Sequence, residues 1–298
     1  MTEFVDVDAL LKIDESCAGQ SKLVFGGLGA NTGECANAGL RVFAATAAWL
    51  QKFEENHPAA AGFNETAQEL KITGEELWEI IKQPPQPVED PRIAKARGID
   101  QAVDVALANR TLLQLMWRAS RWGLADLRRL KLTAAAGYTR IEVESLGLLV
   151  LFSKRPDLAR RWLNPNEDSR KFFSETQPEI KKIAKEHKLA QAYDHGSAVA
   201  QHVRFASAAR GLRISGGNSE VLDQEFDPEN PVSFHLGLAY FLRMQTRIFK
   251  VLPLVFTGLQ NDDQFKAELA LYTSLEDKTW WVMEKKYAKE IGDFEIET

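Results

Sequence analysis

Cysteine is nearly absent: Cys17 and Cys35 are the only two in 298 residues, and no C-x-x-C pair exists. A disulfide-stapled secreted scaffold, a zinc finger and a thioredoxin-like redox motif are therefore excluded. Long apolar runs are missing as well. The longest, Leu146 to Phe152, is far shorter than the roughly 20 residues a bilayer span needs. The opening MTEFVDVDALL is acidic, with no basic stretch leading into an apolar one, so it does not read as a signal peptide. The expectation is a cytoplasmic protein with no membrane partner. A basic surplus is also lacking: 37 Lys+Arg stand against 42 Asp+Glu, a formal charge of −5. That balance argues against nucleic acid as the partner, although a local basic patch could still bind it. Alternating strand patterns are sparse, and neither a repeat of fixed period nor a low-complexity tract occurs.

What is present is helix. In Asn37 to Asn56, Leu40, Phe43, Ala47, Leu50 and Phe53 recur at spacings of three and four, one apolar face of a helix that His57-Pro58 ends. Thr73 followed three residues on by Glu76 has the capping-box spacing and predicts a short helix over Gly74 to Ile81. Four prolines between Lys82 and Pro91 cannot continue it. The main organisational boundary falls there, giving an N-terminal region 1–82 with two or three helices, a Pro-rich linker 83–97 and a helical bundle 98–298. In the bundle, helices are predicted at about Gly98–Trp122, Leu124–Ser153, Pro156–Leu163, Pro178–Tyr193, Ser197–Leu212, Pro231–Phe256 and Asp263–Ile291, several opening on proline, whose missing N–H costs nothing in a first turn. The Gly-, Asn- and acid-rich stretch Ser215 to Pro231 reads as a long surface loop. The fold class is all-α: a multi-helix bundle behind a glycine-rich, irregular N-terminal region.

Four features carry candidate chemistry. The glycine-rich run Leu23 to Gly39 leads into the helix expected near Asn37, but lacks both the G-x-G-x-x-G of a βαβ unit and the Gly-Lys-Ser/Thr of a P-loop. A segment that packs closely against the bundle is the plainer reading. The stretch Trp117 to Lys131 holds Arg118, Arg121, Arg128, Arg129 and Lys131 against Asp126. On a continuous helix Arg118, Arg121 and Arg129 fall within about 80° and form a basic stripe for phosphate or single-stranded nucleic acid, unless Gly123 breaks the register. The alternative is a solvated face whose arginine stems cover apolar surface.

The third feature is the helix Gly137 to Phe152, apolar on most sides yet carrying Arg140, Glu142 and Glu144. Charges on a central helix must be paired, so these three form either a polar site or a structural ion network. The fourth is Ala190 to Arg210, with Asp194, His195, Ser197 and His202. His195 and His202 are seven residues apart, about 10 Å along a regular helix, too far to share one metal ion. There is no H-E-x-x-H, and the only Glu-x-x-His is Glu54 to His57, so no metal and no cofactor are expected. Ser197 sits in no G-x-S-x-G elbow, and no Arg stands five to seven residues before any of the five histidines, the spacing a HEPN-like ribonuclease requires.

Arg140-Ile-Glu-Val-Glu144, the trailing LFSKRPDLARRW and the later Tyr193-Asp-His195-Gly-Ser197 together resemble an all-helical bacterial domain family of unknown function, over roughly Gly98 to Ile291. The resemblance implies a helical bundle with Arg140, Glu144, His195 and Ser197 as its polar cluster, and carries no reaction with it. The leading expectation is a ligand- or partner-binding regulatory protein, its partner a small molecule or a protein, using Arg118, Arg121, Arg140, Glu144, Tyr193, His195, Ser197 and His202. The alternative is a hydrolase or ribonuclease acting on a phosphate-containing substrate, with His195 as general base, Glu144 orienting it, and Arg140 with Arg118 or Arg121 stabilising phosphate charge. Adjacent Trp280 and Trp281 on the last long helix suggest a homodimer contact.

Overall fold

Leu, Ala and Phe at helical spacing dominate the chain, and the computed structural model follows them. It describes residues 31–56, 59–83, 89–128, 132–194, 212–215, 218–221 and 232–287. The elements are α1 (Asn31–Asn56), α2 (Ala59–Leu70), α3 (Gly74–Lys82), α4 (Pro91–Arg128), α5 (Leu132–Lys154), α6 (Pro156–Leu163), α7 (Ser169–Glu186), β1 (Leu212–Ser215), β2 (Asn218–Val221), α8 (Val232–Val255), a 3-10 turn (Leu259–Asn261) and α9 (Asp263–Lys286). The molecule is an all-α multi-helix bundle carrying one small antiparallel ribbon, in which Leu212 pairs with Val221 and Ser215 with Asn218. That ribbon lies where a helix end and a long loop were expected. The predicted helix Ser197–Leu212 and the irregular stretch before Asn31 otherwise fall outside the described residues.

α5 is central, as its composition requires. Val143, Leu146 and Leu148 through Phe152 are buried in one core that also takes Leu40, Phe43 and Leu50 of α1, Leu112 and Met116 of α4, Phe249 of α8 and Tyr272 of α9. α5 packs on α4, α7 and α8, and α1 packs along α9. Residues 31–56 thus share the bundle's own core, so the prolines after Lys82 do not separate two bodies there. The expected linker is also shorter: Pro91 is the first residue of α4, and the Asp90 carboxylate accepts from the Arg92 N–H at 2.8 Å. A second, smaller core joins Ala67 of α2, Leu77 and Ile81 of α3 and Ala96 of α4. The Thr73–Glu76 capping box forms: Thr73 Oγ1 accepts from the Glu76 N–H at 3.1 Å, and Glu76 Oε2 accepts from the Thr73 N–H at 2.7 Å.

Three helix boundaries differ from expectation. α1 starts at Asn31, six residues early, because its first turns are small and buried: Thr32, Cys35, Ala36 and Ala38. Gly39, the last glycine of the rich run, serves packing, since a Cβ there would stand 2.9 Å from the Tyr272 ring of α9. α4 runs through Gly123 without a break, and that glycine admits the Phe241 ring of α8, which a Cβ would meet at 3.2 Å. α7 starts at Ser169, capped by Asp168, which accepts from the N–H groups of Arg170 (2.9 Å) and Lys171 (3.2 Å). Pro178 therefore sits inside α7. The cap and the buried face of Phe172, Thr176, Ile180 and Ile183 outweigh the one backbone bond proline removes.

Candidate ligand site

Three of the sequence-predicted residues come together. One turn apart on α5, Arg140 and Glu144 pair at 2.7 Å, their side chains 16% and 18% exposed. The α7 helix ends at His187 and Lys188, the latter left-handed at φ 57°, with Leu189 N–H donating to Ala184 O at 2.7 Å. This Schellman turn swings Tyr193 back onto α5 and α7. The Arg140 guanidinium lies 5.7 Å from the Tyr193 ring centre, and the Tyr193 hydroxyl accepts from Gln177 Nε2 at 3.2 Å. Burial raises the Tyr193 phenol above its ordinary value, and the Glu144 carboxylate adds to the rise while Gln177 and Arg140 oppose it. The phenol is neutral near pH 7, and every charge in the cluster has a partner. His195, Ser197 and His202 lie outside the described residues. Arg118 is exposed, and Arg121 lies 5.8 Å from the ring of Trp117, one turn back on its own helix.

Glu142, between Arg140 and Glu144 on α5, is fully buried, and no described cation acts on it. Gln245 Nε2 donates to Glu142 Oε2, while Glu142 Oε1 and Gln245 Oε1 are buried with no hydrogen-bond partner among the described residues. Burial pushes the carboxyl well above the usual carboxylate range, and the Gln245 bond offsets only part of that. A neutral carboxylic acid resolves the arrangement, because its O–H can donate to the amide oxygen opposite. The expectation that charges on this helix are paired therefore fails for Glu142, which is held uncharged instead.

Two clefts remain. One, of about 590 Å³, lies between α8, α9 and the end of α7. Its Arg243 pairs with the buried Glu276 at 2.9 Å and covers the Trp280 ring at 4.1 Å, and its Arg247 donates to Lys188 O. Burial raises Glu276 above its ordinary value, while Arg243 and Thr246 pull it down and Asp277 adds to the rise. Both arginines are already committed within the fold.

The other cleft, of about 400 Å³, sits where α1, α5 and α8 end against the side of α4. Trp49 and Phe53, one turn apart on α1, stack at 5.2 Å and 20°, and Phe256 closes on Trp49 at 6.0 Å. Against these apolar walls stand Glu54 and Asn109. Arg110 engages Glu54 Oε2, but Glu54 Oε1 and Asn109 Oδ1 are buried without a hydrogen-bond partner among the described residues. Asn109 is only 8% exposed. Unsatisfied buried acceptors are uncommon in native proteins and each costs free energy until something donates to it. In the sequence Phe53 reads as part of an apolar helix face and Glu54 only as half of a lone Glu-x-x-His, neither as a ligand site, although one signal was there: two acids, Glu54 and Glu55, end a helix whose C-terminal dipole disfavours them.

Among the described residues, no three or more His, Cys, Asp or Glu side chains are grouped to hold a metal ion, and no helix is long and apolar enough to cross a membrane. No family model matches the chain, and no curated protein or solved structure matches it.

Proposed function

We propose that the chain is a cytoplasmic, non-enzymatic protein that binds a small molecule in the cleft walled by Trp49, Phe53 and Phe256. One observation carries this reading: an aromatic cleft of about 400 Å³, a size that suits a small ligand, is lined by Glu54 and Asn109, each with a buried side-chain oxygen to which no described residue donates. The Arg140–Glu144–Tyr193 cluster then serves the fold, since its charges are spent on one another. The hydrolase alternative asks Glu144 to orient His195, but Glu144 is already engaged by Arg140 at 2.7 Å.

Indole is a suitable probe, being flat, apolar and equipped with one N–H donor. Ligand-observed NMR should show saturable binding to the wild-type protein, and Ala106→Phe, which fills the cleft from α4, should abolish it. Absence of binding, or equal binding to both proteins, removes the cleft as a ligand site. A homodimer belongs to the same proposal. Trp280 is buried in its own chain, which leaves Trp281, 56% exposed, as the contact residue. Light scattering at twice the 33.5 kDa chain mass supports the dimer, and the chain mass alone removes it.

A further inference from the structure

We propose that the ligand of the Trp49 cleft is an organic cation: a protonated amine carried on a flat aromatic or apolar body. The inference rests on the cleft being the binding site and adds the chemistry of what enters it. Charge is the first support. Among the described residues that line the cleft, Glu54 is the one acid and none is Lys, Arg or His. Arg110, its side chain 54% exposed, engages Oε2, and no described residue donates to Oε1.

Helix geometry is the second support. Glu54 belongs to the last turn of α1, Phe152 and Ser153 to that of α5, and Val255 is the final residue of α8. Three C-termini therefore meet at one cleft, and each contributes about half a negative charge from its aligned peptide dipoles and unpaired carbonyls. Helix ends are usually balanced by basic side chains in the last turn. Here α1 and α8 have none, and α5 has only Lys154. An acid placed in the last turn of α1 adds to the imbalance. Pro156, the first residue of α6, brings one helix N-terminus to the same cleft, so the C-termini outnumber it three to one and a bound cation relieves the excess.

The walls are the third support. Aromatic faces attract a cation through the ring quadrupole, and the apolar body of such a ligand covers the same rings. Glu54 and Asn109 line the cleft, and Glu54 Oε1 and Asn109 Oδ1 are buried there with no described residue donating to them.

Tryptamine and tryptophol test this, because they share an indole body and differ by an ammonium in place of a hydroxyl. In isothermal titration the wild-type protein should bind tryptamine about tenfold more tightly than tryptophol. Glu54→Gln should bring the two within about twofold by weakening tryptamine alone. Ala106→Phe should lose both. Equal affinities in the wild-type protein, or a tryptamine preference that survives Glu54→Gln, overturn the cation while leaving the cleft as a binding site. Binding of neither probe to the wild-type protein overturns the cleft and the inference together. Because Glu54→Gln frees Arg110, Phe53→Leu serves as a second variant. It keeps the charge and removes one aromatic face, and it should weaken tryptamine more than tryptophol.

Discussion

A single buried acid sets a pH dependence that the whole fold must follow. Glu142 is fully buried with its carboxyl raised by desolvation, so the folded chain keeps the proton that the unfolded chain gives up near the ordinary glutamate value. Stability from this group is fully present below about pH 4.5 and is lost as pH rises toward the folded-state value, at up to about 1.4 kcal/mol per pH unit. Glu276, also raised by burial, acts in the same direction. Glu142→Gln removes one of the two groups and leaves an amide pair in which each side chain can donate to the other. The urea midpoint of the wild-type protein should fall between pH 5 and 7, and that fall should be clearly smaller in Glu142→Gln. Equal slopes in the two proteins would show that Glu142 ionises inside the core at no cost.

At the scale of elements, close approach between helices is bought with glycine. A Cβ on Gly147 of α5 would stand 2.8 Å from Ile180 Cγ2 of α7, closer than real Cβ contacts come. Gly147→Ala should destabilise the fold by about 1–3 kcal/mol through overpacking, although alanine is the better helix former by nearly 1 kcal/mol. Adding Ile180→Val should restore part of the loss in thermal denaturation. Additive losses in the double variant would place the strain elsewhere. The same glycines show where the sequence was readable. The apolar run of α5 announced a buried helix, and Thr73 with Glu76 announced a cap, because each signal is complete within a few residues. Gly123 and Pro178 misled because a breaker is judged by its neighbours in sequence, whereas Phe241 and the Asp168 cap decide the outcome from elsewhere. The ribbon had a local signal that was passed over: Gly216-Gly217 between LRIS and NSEV is the two-residue spacing of a hairpin. The pair Arg140–Glu144 was legible because it lies on one helix. The Trp49 cleft was not, since Trp49, Asn109, Phe152 and Phe256 meet only when four helices are packed.

Across the whole molecule, two cores of unequal size imply unequal local stability. The main core takes side chains from α1, α4, α5, α7, α8 and α9, whereas the core of α2 and α3 is Ala67, Leu77 and Ile81 against Ala96 of α4, with Phe63, Leu70, Ile72 and Ile93 partly buried around it. At about 25 cal/mol per Å² of apolar area, so few side chains give the α2–α3 unit little of its own to resist opening. Arg92 of α4 donates to Glu69 O of α2 at 2.9 Å, and Arg97 of α4 fastens the unit further. That guanidinium donates to Ile80 O at 3.2 Å and to Ile81 O, which are carbonyls of the last turn of α3, and it pairs with Glu89 at 2.8 Å with both side chains mostly buried. One side chain thus caps a helix, balances its dipole and fastens the segment before α4. Hydrogen exchange should accordingly find the amides of α2 and α3 opening well before those of α5. Arg97→Ala should accelerate exchange across α2 and α3 by about tenfold or more, with α5 and α9 nearly unchanged, because the three bonds it removes all lie on the small core's side. Faster exchange spread evenly over all helices would mean instead that the two cores open as one, and that α2 and α3 draw their stability from the same cooperative unit as α1.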